Sequence, residues 1–230
     1  MDLLIGYLPL LAQGALVTVA LALVSLALAT TLGALAAAAR IGAGGIVRSF
    51  VLAYTTLIRG VPDLVLILLF FYGGQRLANR LGAALGLEPI SVSPFLAGVL
   101  GIGRSFGAYL AETFRGAYLT IPRGQIEAAR ALGLRNLPLV WTVTIPQLVR
   151  FALPGYANVW QVLVKSTAVV SVIGLQDVVG FAGDAGKTTR EPFLFYTATL
   201  FVYLAITWIS TRIFAWLDRR YTVVSREAEA

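Results

Sequence analysis

Residues 122–146 read PRGQIEAARALGLRNLPLVWTVTIP, the longest part of the chain without a long apolar run. Arg123, Arg130 and Arg135 fall inside it. Apolar segments of membrane-spanning length lie on both sides. A polar, structured segment between membrane spans must meet something outside the bilayer. The function therefore turns on what that partner is.

The composition supports the membrane setting. Of 230 residues, 58% are hydrophobic and 13% are charged, and the mean hydropathy is +0.83. Soluble domains carry about 25% charged residues. The deficit, with long uncharged runs, places the chain in the membrane class. A net charge of +7 spread between apolar runs points to membrane topology and anionic lipid rather than nucleic acid. The absence of Cys and His removes thiol chemistry, disulfides and the usual zinc sites. No metal site is expected. The N-terminus lacks the basic region of a signal peptide, and its first apolar run is too long for one, so it is expected to be a retained span.

Five spans are expected. No charged residue occurs in 3–39. Pro9 and Gln13-Gly14 are expected to break a short interfacial segment from a first span at 15–38. The apolar region 50–73 is interrupted by Arg59-Gly60-Val61-Pro62-Asp63. There the chain either kinks inside the membrane or ends a surface helix before the span runs on. Residues 75–93 read as a polar loop. Further spans are expected at 94–117, 151–173 and 193–217, with a second polar loop at 174–192. The single membrane domain covers 10–221, and 222–230 form a short tail.

Arginine and lysine set the orientation. One side holds Arg40, Arg48, Arg115, Arg123, Arg130, Arg135, Arg150, Arg212, Arg219, Arg220 and Arg226, eleven in all. The other holds Arg76, Arg80, Lys187 and Arg190, which is four. The positive-inside rule then puts the N-terminus outside. The loop 122–146 and the C-terminus lie in the cytoplasm.

Within that loop, Pro122 suits the start of a helix, and 125–132 is good helix-forming sequence. Gly133 is placed to cap its end, and 134–141 is expected to form a second short helix. Ala128, Ala129 and Ala131 make a small, smooth surface for a partner. Glu127 and Arg130 share a face, where they either pair or offer charge. The plainer alternative is a cytoplasmic helix packed on its own bundle.

Glu127-Ala128-Ala129, three residues, Gly133, nine residues, then Val143-Thr144-Ile145-Pro146 resembles the cytoplasmic signature of ABC importer permeases. Val143 and Ile145 stand where that signature has Ile and Leu. The likeness extends to YTTLIRGVPDLVL at 54–66, Gly107-Ala108-Tyr109, ETFRGA at 112–117, Ala152-Leu153-Pro154-Gly155, Trp160-Gln161-Val162 and LQDVV at 175–179. These strings are similar to permease subunits for polar amino acids, most of all those for histidine, lysine, arginine and ornithine, and their opine-transporting relatives.

The resemblance implies an all-α, type I ABC importer permease fold with a cytoplasmic coupling helix in the bacterial inner membrane. It implies an ABC ATPase dimer, a second, paralogous permease subunit and an extracytoplasmic substrate-binding protein as partners. Glu127, Ala128, Ala129, Arg130 and Gly133 would form the ATPase-coupling element. ATP would be bound and hydrolysed by the partner, leaving this chain without catalysis or cofactor. The alternatives are a secondary transporter driven by an ion gradient, and a channel or non-transporting assembly subunit. Against the first stands the lack of an inverted repeat.

Residues 181–188, FAGDAGKT, nearly match a phosphate-binding loop. The first Gly of that pattern is missing and no strand precedes it. A flexible external loop is the expected reading.

Four charged residues are candidates for the substrate path: Arg104, Glu112, Lys165 and Asp177. A charge at a span's centre costs roughly 2.5–3.5 kcal/mol, so it is paired or faces a polar path. Glu112 either pairs with Arg115 or favours a cationic substrate. Lys165 either pairs with an acid or meets substrate carboxylate. Arg104 either snorkels to lipid headgroups or favours a substrate with an extra carboxylate, such as an opine. Arg59 and Asp63, four apart, are expected to make a local pair.

Overall fold

The computed structural model describes residues 2–89 and 91–226, and all regular structure among them is helical. The chain opens on α1 (Asp2–Gly42), α2 (Gly45–Gly60) and α3 (Asp63–Leu68). A π turn (Leu69–Gly73) leads into α4 (Gly74–Ala84), and α5 (Pro94–Thr120) follows. Two short helices, α6 (Arg123–Ala131) and α7 (Asn136–Leu139), lead through a second π turn (Val140–Thr144) into α8 (Ile145–Ser166). A 3-10 segment (Thr167–Ile173), α9 (Val178–Thr189) and α10 (Pro192–Arg226) complete the chain. The last part of the expected tail, 227–230, lies outside the described residues.

Three helical stretches are long and apolar enough to cross a bilayer: Leu3–Gly42, Leu137–Ile173 and Pro192–Tyr221. Gly45–Gly60 with Asp63–Ala84 makes a fourth if that pair, bent by 107°, is one span. The 27-residue α5 has the length but is less apolar, because it is the centre of the bundle. Thirteen of its residues are buried, packed mainly by α1 and α8. Its glycines let neighbours approach where leucines would hold them off. A Cβ at Gly103 would sit 2.6 Å from Leu28 Cδ2, and one at Gly33 of α1 would sit 2.7 Å from Leu110 Cβ. Leu21, Ile67, Ile102, Leu110, Leu163 and Val170 are fully enclosed around this contact.

Several expectations are corrected. Helix α1 is continuous through Pro9 and Gly14. Gly14 admits α9 rather than breaking the helix, since a Cβ there would lie 2.8 Å from the Asp177 backbone and the Phe181 ring. The two expected polar loops contain α4 and α9. Helix α9 is amphipathic, and it buries Val178, Ala182 and Ala185 against Leu11 and Phe195. Its periodic small residues were masked by the charged ones between them.

The expected second short helix at 134–141 is the shorter α7, which runs through the π turn into α8. Pro146 has no N–H to give the preceding turn, and the wider turn sits where that donor is missing. Arg59 and Asp63 do not pair. The bend after Gly60 separates them, and a four-residue spacing brings side chains together only along an unbroken helix. Arg59 lies over the Tyr109 ring at 5.2 Å, and Asp63 accepts from Ser166 Oγ at 3.3 Å.

Candidate functional site

The polar loop between α5 and α8 carries a helix with little cover. In α6, Glu127, Ala128 and Arg130 are exposed, while Ala129 is turned inward and buried. The helix ends on Gly133, whose φ is +85°. The Gly133 amide donates to the Arg130 carbonyl at 2.9 Å, and the Leu134 amide donates to the Ala129 carbonyl at 3.0 Å. This pair of bonds is the Schellman arrangement, which satisfies carbonyls the helix end would leave open. A Cβ at Gly133 would meet nothing within 4 Å. Backbone conformation alone therefore selects glycine there.

Glu127 and Arg130 make no ion pair with each other, so both charges are offered outward. Leu132, at the helix end, is 84% exposed. Behind α6 lies a concavity of about 590 Å³, lined by Tyr118, Ile126, Arg130, Arg135, Leu139 and Thr144. The helix thus stands off the bundle on its two flanking connections, with one small residue as its main inward anchor.

The four charged candidates for the substrate path are placed differently from one another. Glu112 accepts from Arg40 Nη1 of α1 and, at 3.1 Å, from Arg115 Nε of its own helix. Both carboxylate oxygens are occupied. Arg40 was not singled out from the sequence. The signal was available: it is the first charge after the apolar run, on the side where Glu112 also lies.

Lys165 is exposed near the end of α8 and makes no ion pair among the described residues. Asp177 is fully buried and caps α9, where Oδ1 accepts from the Gly180 amide at 2.8 Å. Its Oδ2 has no hydrogen-bond partner. Burial pushes its carboxyl up to about 6, against amide hydrogen bonds that pull it down. Arg104, midway along α5, places its guanidinium carbon 4.8 Å from the centroid of the Phe70 ring.

The segment that resembles a phosphate loop is helical. Residues 181–188 lie inside α9, and Lys187 faces Asp184 at 3.8 Å on an exposed surface. Amides engaged along a helix cannot cradle phosphates as a loop before a helix N-terminus does.

The chain matches, over residues 29–223, the family described as binding-protein-dependent transport system inner membrane component. It is 43% identical over 227 residues to the histidine/lysine/arginine/ornithine transport system permease protein HisQ of Salmonella typhimurium, covering 99% of this chain and all of that one. It is 40% identical over 206 residues to the nopaline transport system permease protein NocQ of Agrobacterium fabrum, covering 89% and 87%. It is 38% identical over 204 residues to the octopine permease OccQ of Rhizobium radiobacter, covering 88% and 86%. Among solved structures it is similar to an amino acid ABC transporter crystallised with histidines. The TM-score there is 0.78 at 28% identity, over 94% of this chain and 96% of that one.

Proposed function

The chain belongs to the family of binding-protein-dependent inner membrane transport components, and on that premise we propose that its cargo is a polar amino acid, basic in type, or an opine. It is a permease subunit of an ATP-driven importer in the inner membrane. In the proposed assembly it pairs with a second, paralogous permease subunit over an ABC ATPase dimer. A substrate-binding protein delivers solute from outside. ATP is bound only by the ATPase, and this chain carries no cofactor.

The proposed topology has five spans, with the N-terminus outside and the C-terminus in the cytoplasm. Helix α5, third in chain order, completes the five. Its shortfall in apolarity follows from its central place, where neighbouring helices rather than lipid cover it. The excess of arginine at the α6 side supports the orientation.

One observation carries the coupling assignment: α6 is exposed, small-surfaced and sharply stopped by Gly133. Closure of the ATPase dimer would push on Glu127, Ala128, Ala129 and Arg130. The turn at Gly133 would pass that displacement through α7 and the π turn to α8. Arg104 and Lys165 are proposed to line the path. Glu112 and Asp177 are given supporting work, since one is held by two arginines and the other is enclosed as a cap.

The test is co-reconstitution with the partner permease, the ATPase and the binding protein, followed by assay of substrate-stimulated ATP hydrolysis. Wild type is expected to couple the two. Glu127→Lys is expected to lose both ATPase co-purification and uptake. Survival of both in that variant sinks the docking role. Uptake by this chain with no ATPase present would overturn the whole reading.

A further inference from the structure

Among the described residues, the carboxylates of Asp63, Glu112 and Asp177 each accept a hydrogen bond within the protein. Arg40 and Arg115 hold Glu112. Asp63 accepts from Ser166, and Asp177 is enclosed at the start of α9. Arg104 has no ion pair among the described residues. Its guanidinium lies over Phe70, and its carbonyl accepts from Tyr54 Oη at 2.9 Å. Its Nη1 is buried with no hydrogen-bond partner. The side chain as a whole is half-buried, so it remains reachable.

This geometry has a chemical meaning. A guanidinium laid on an aromatic face keeps its in-plane N–H edge free, and that edge fits a carboxylate with two parallel bonds. A buried donor without a partner costs free energy until an acceptor arrives. In a low-dielectric site the bond then formed is stronger than in water. Snorkelling to headgroups would instead carry the guanidinium tip out of the protein, yet Nη1 is inside it. Phe70 belongs to the π turn, an irregular backbone element that sits against α5.

Resting on the permease reading, we propose that Arg104 is a specificity residue that holds a carboxylate of the transported solute, with Phe70 as its platform. Two sources supply that chemistry. One is the α-carboxylate common to all amino acids. The other is an additional carboxylate on an N-carboxyalkyl amino acid.

The test uses the purified complex of both permease subunits and the ATPase, without binding protein. Binding of agmatine, arginine and N-(1-carboxyethyl)arginine is measured in turn. Wild type is expected to gain at least about tenfold in affinity at one added carboxylate, equivalent to about 1.4 kcal/mol. A gain from agmatine to arginine assigns the α-carboxylate. A gain from arginine to the carboxyethyl derivative assigns the additional one.

Arg104→Gln is expected to erase that step without weakening the binding of agmatine, which carries no carboxylate, and Arg104→Lys to restore part of it. The inference is overturned if wild type shows no step or if the step survives in Arg104→Gln. Equal weakening of all three probes also overturns it, since that marks a structural role. ATP-driven uptake with the binding protein present is scored separately. Its failure counts against the permease reading, whereas absence of the carboxylate step in wild type with uptake intact counts against Arg104 alone.

Discussion

Glu112 joins two arginines that differ in setting. The Arg40 side chain is 11% exposed and that of Arg115 is 34%. Arg40 ties α1 to α5, whereas Arg115 is a neighbour on the same helix. Hydrogen bonds to charged groups contribute about 1.5–3 kcal/mol when partly shielded from water, and exposed helix pairs contribute about 0.3–0.5 kcal/mol. Arg40→Gln is therefore expected to lower the thermal midpoint in detergent more than Arg115→Gln. The reverse order would show that the inter-helix bond adds little. Asp177 gives a pH signature at the same scale. Its carboxyl titrates near 6 in the folded chain, above its ordinary 3.8. The folded state thus binds the proton more tightly than the unfolded one. Stability falls as pH rises from about 4 to 6 and is level above that. Asp177→Asn is expected to flatten this slope in denaturation series across the interval. An unchanged slope would assign it to another group.

Helix α6 depends on its stop. At φ +85° a residue with a Cβ is strained by roughly 1–2 kcal/mol, although no neighbour would clash. Gly133→Ala is expected to leave the purified chain folded and to loosen the end of α6. Substrate-stimulated ATPase activity in the assembled complex should then fall several-fold. Gly133→Asn should fall less, because asparagine tolerates this region better. Equal, full activity in both would mean that the turn does not transmit the motion. The same local logic accounts for α9. Its charged residues resemble a phosphate loop only when read linearly. Wound at 3.6 residues per turn, they share an exposed face opposite the buried Val178, Ala182 and Ala185.

For the whole molecule, the topology is open to direct chemical reading, because the chain has no cysteine. A single cysteine in place of Thr188, exposed in α9, is expected to react with a membrane-impermeant maleimide from outside intact cells. One in place of Gln125, exposed in α6, should react only after permeabilisation. Labelling of both from one side would require an even number of crossings between them and would break the proposed five-span arrangement. Composition, apolar run length and the spacing from Glu127 to Pro146 were enough to assign the membrane class, the exposed loop and its glycine stop. These are local or summed properties, set by hydrophobic burial and backbone sterics. The sequence marked the break at Gly60–Pro62 but not its 107° angle, and it did not disclose the continuity of α1, the Arg40–Glu112 bond or the unpaired Arg104. Each depends on which distant side chains meet once glycine faces let α1 and α5 close together. Nearest-neighbour spacing carries no record of that approach, so the partner of a buried charge is decided only by tertiary packing.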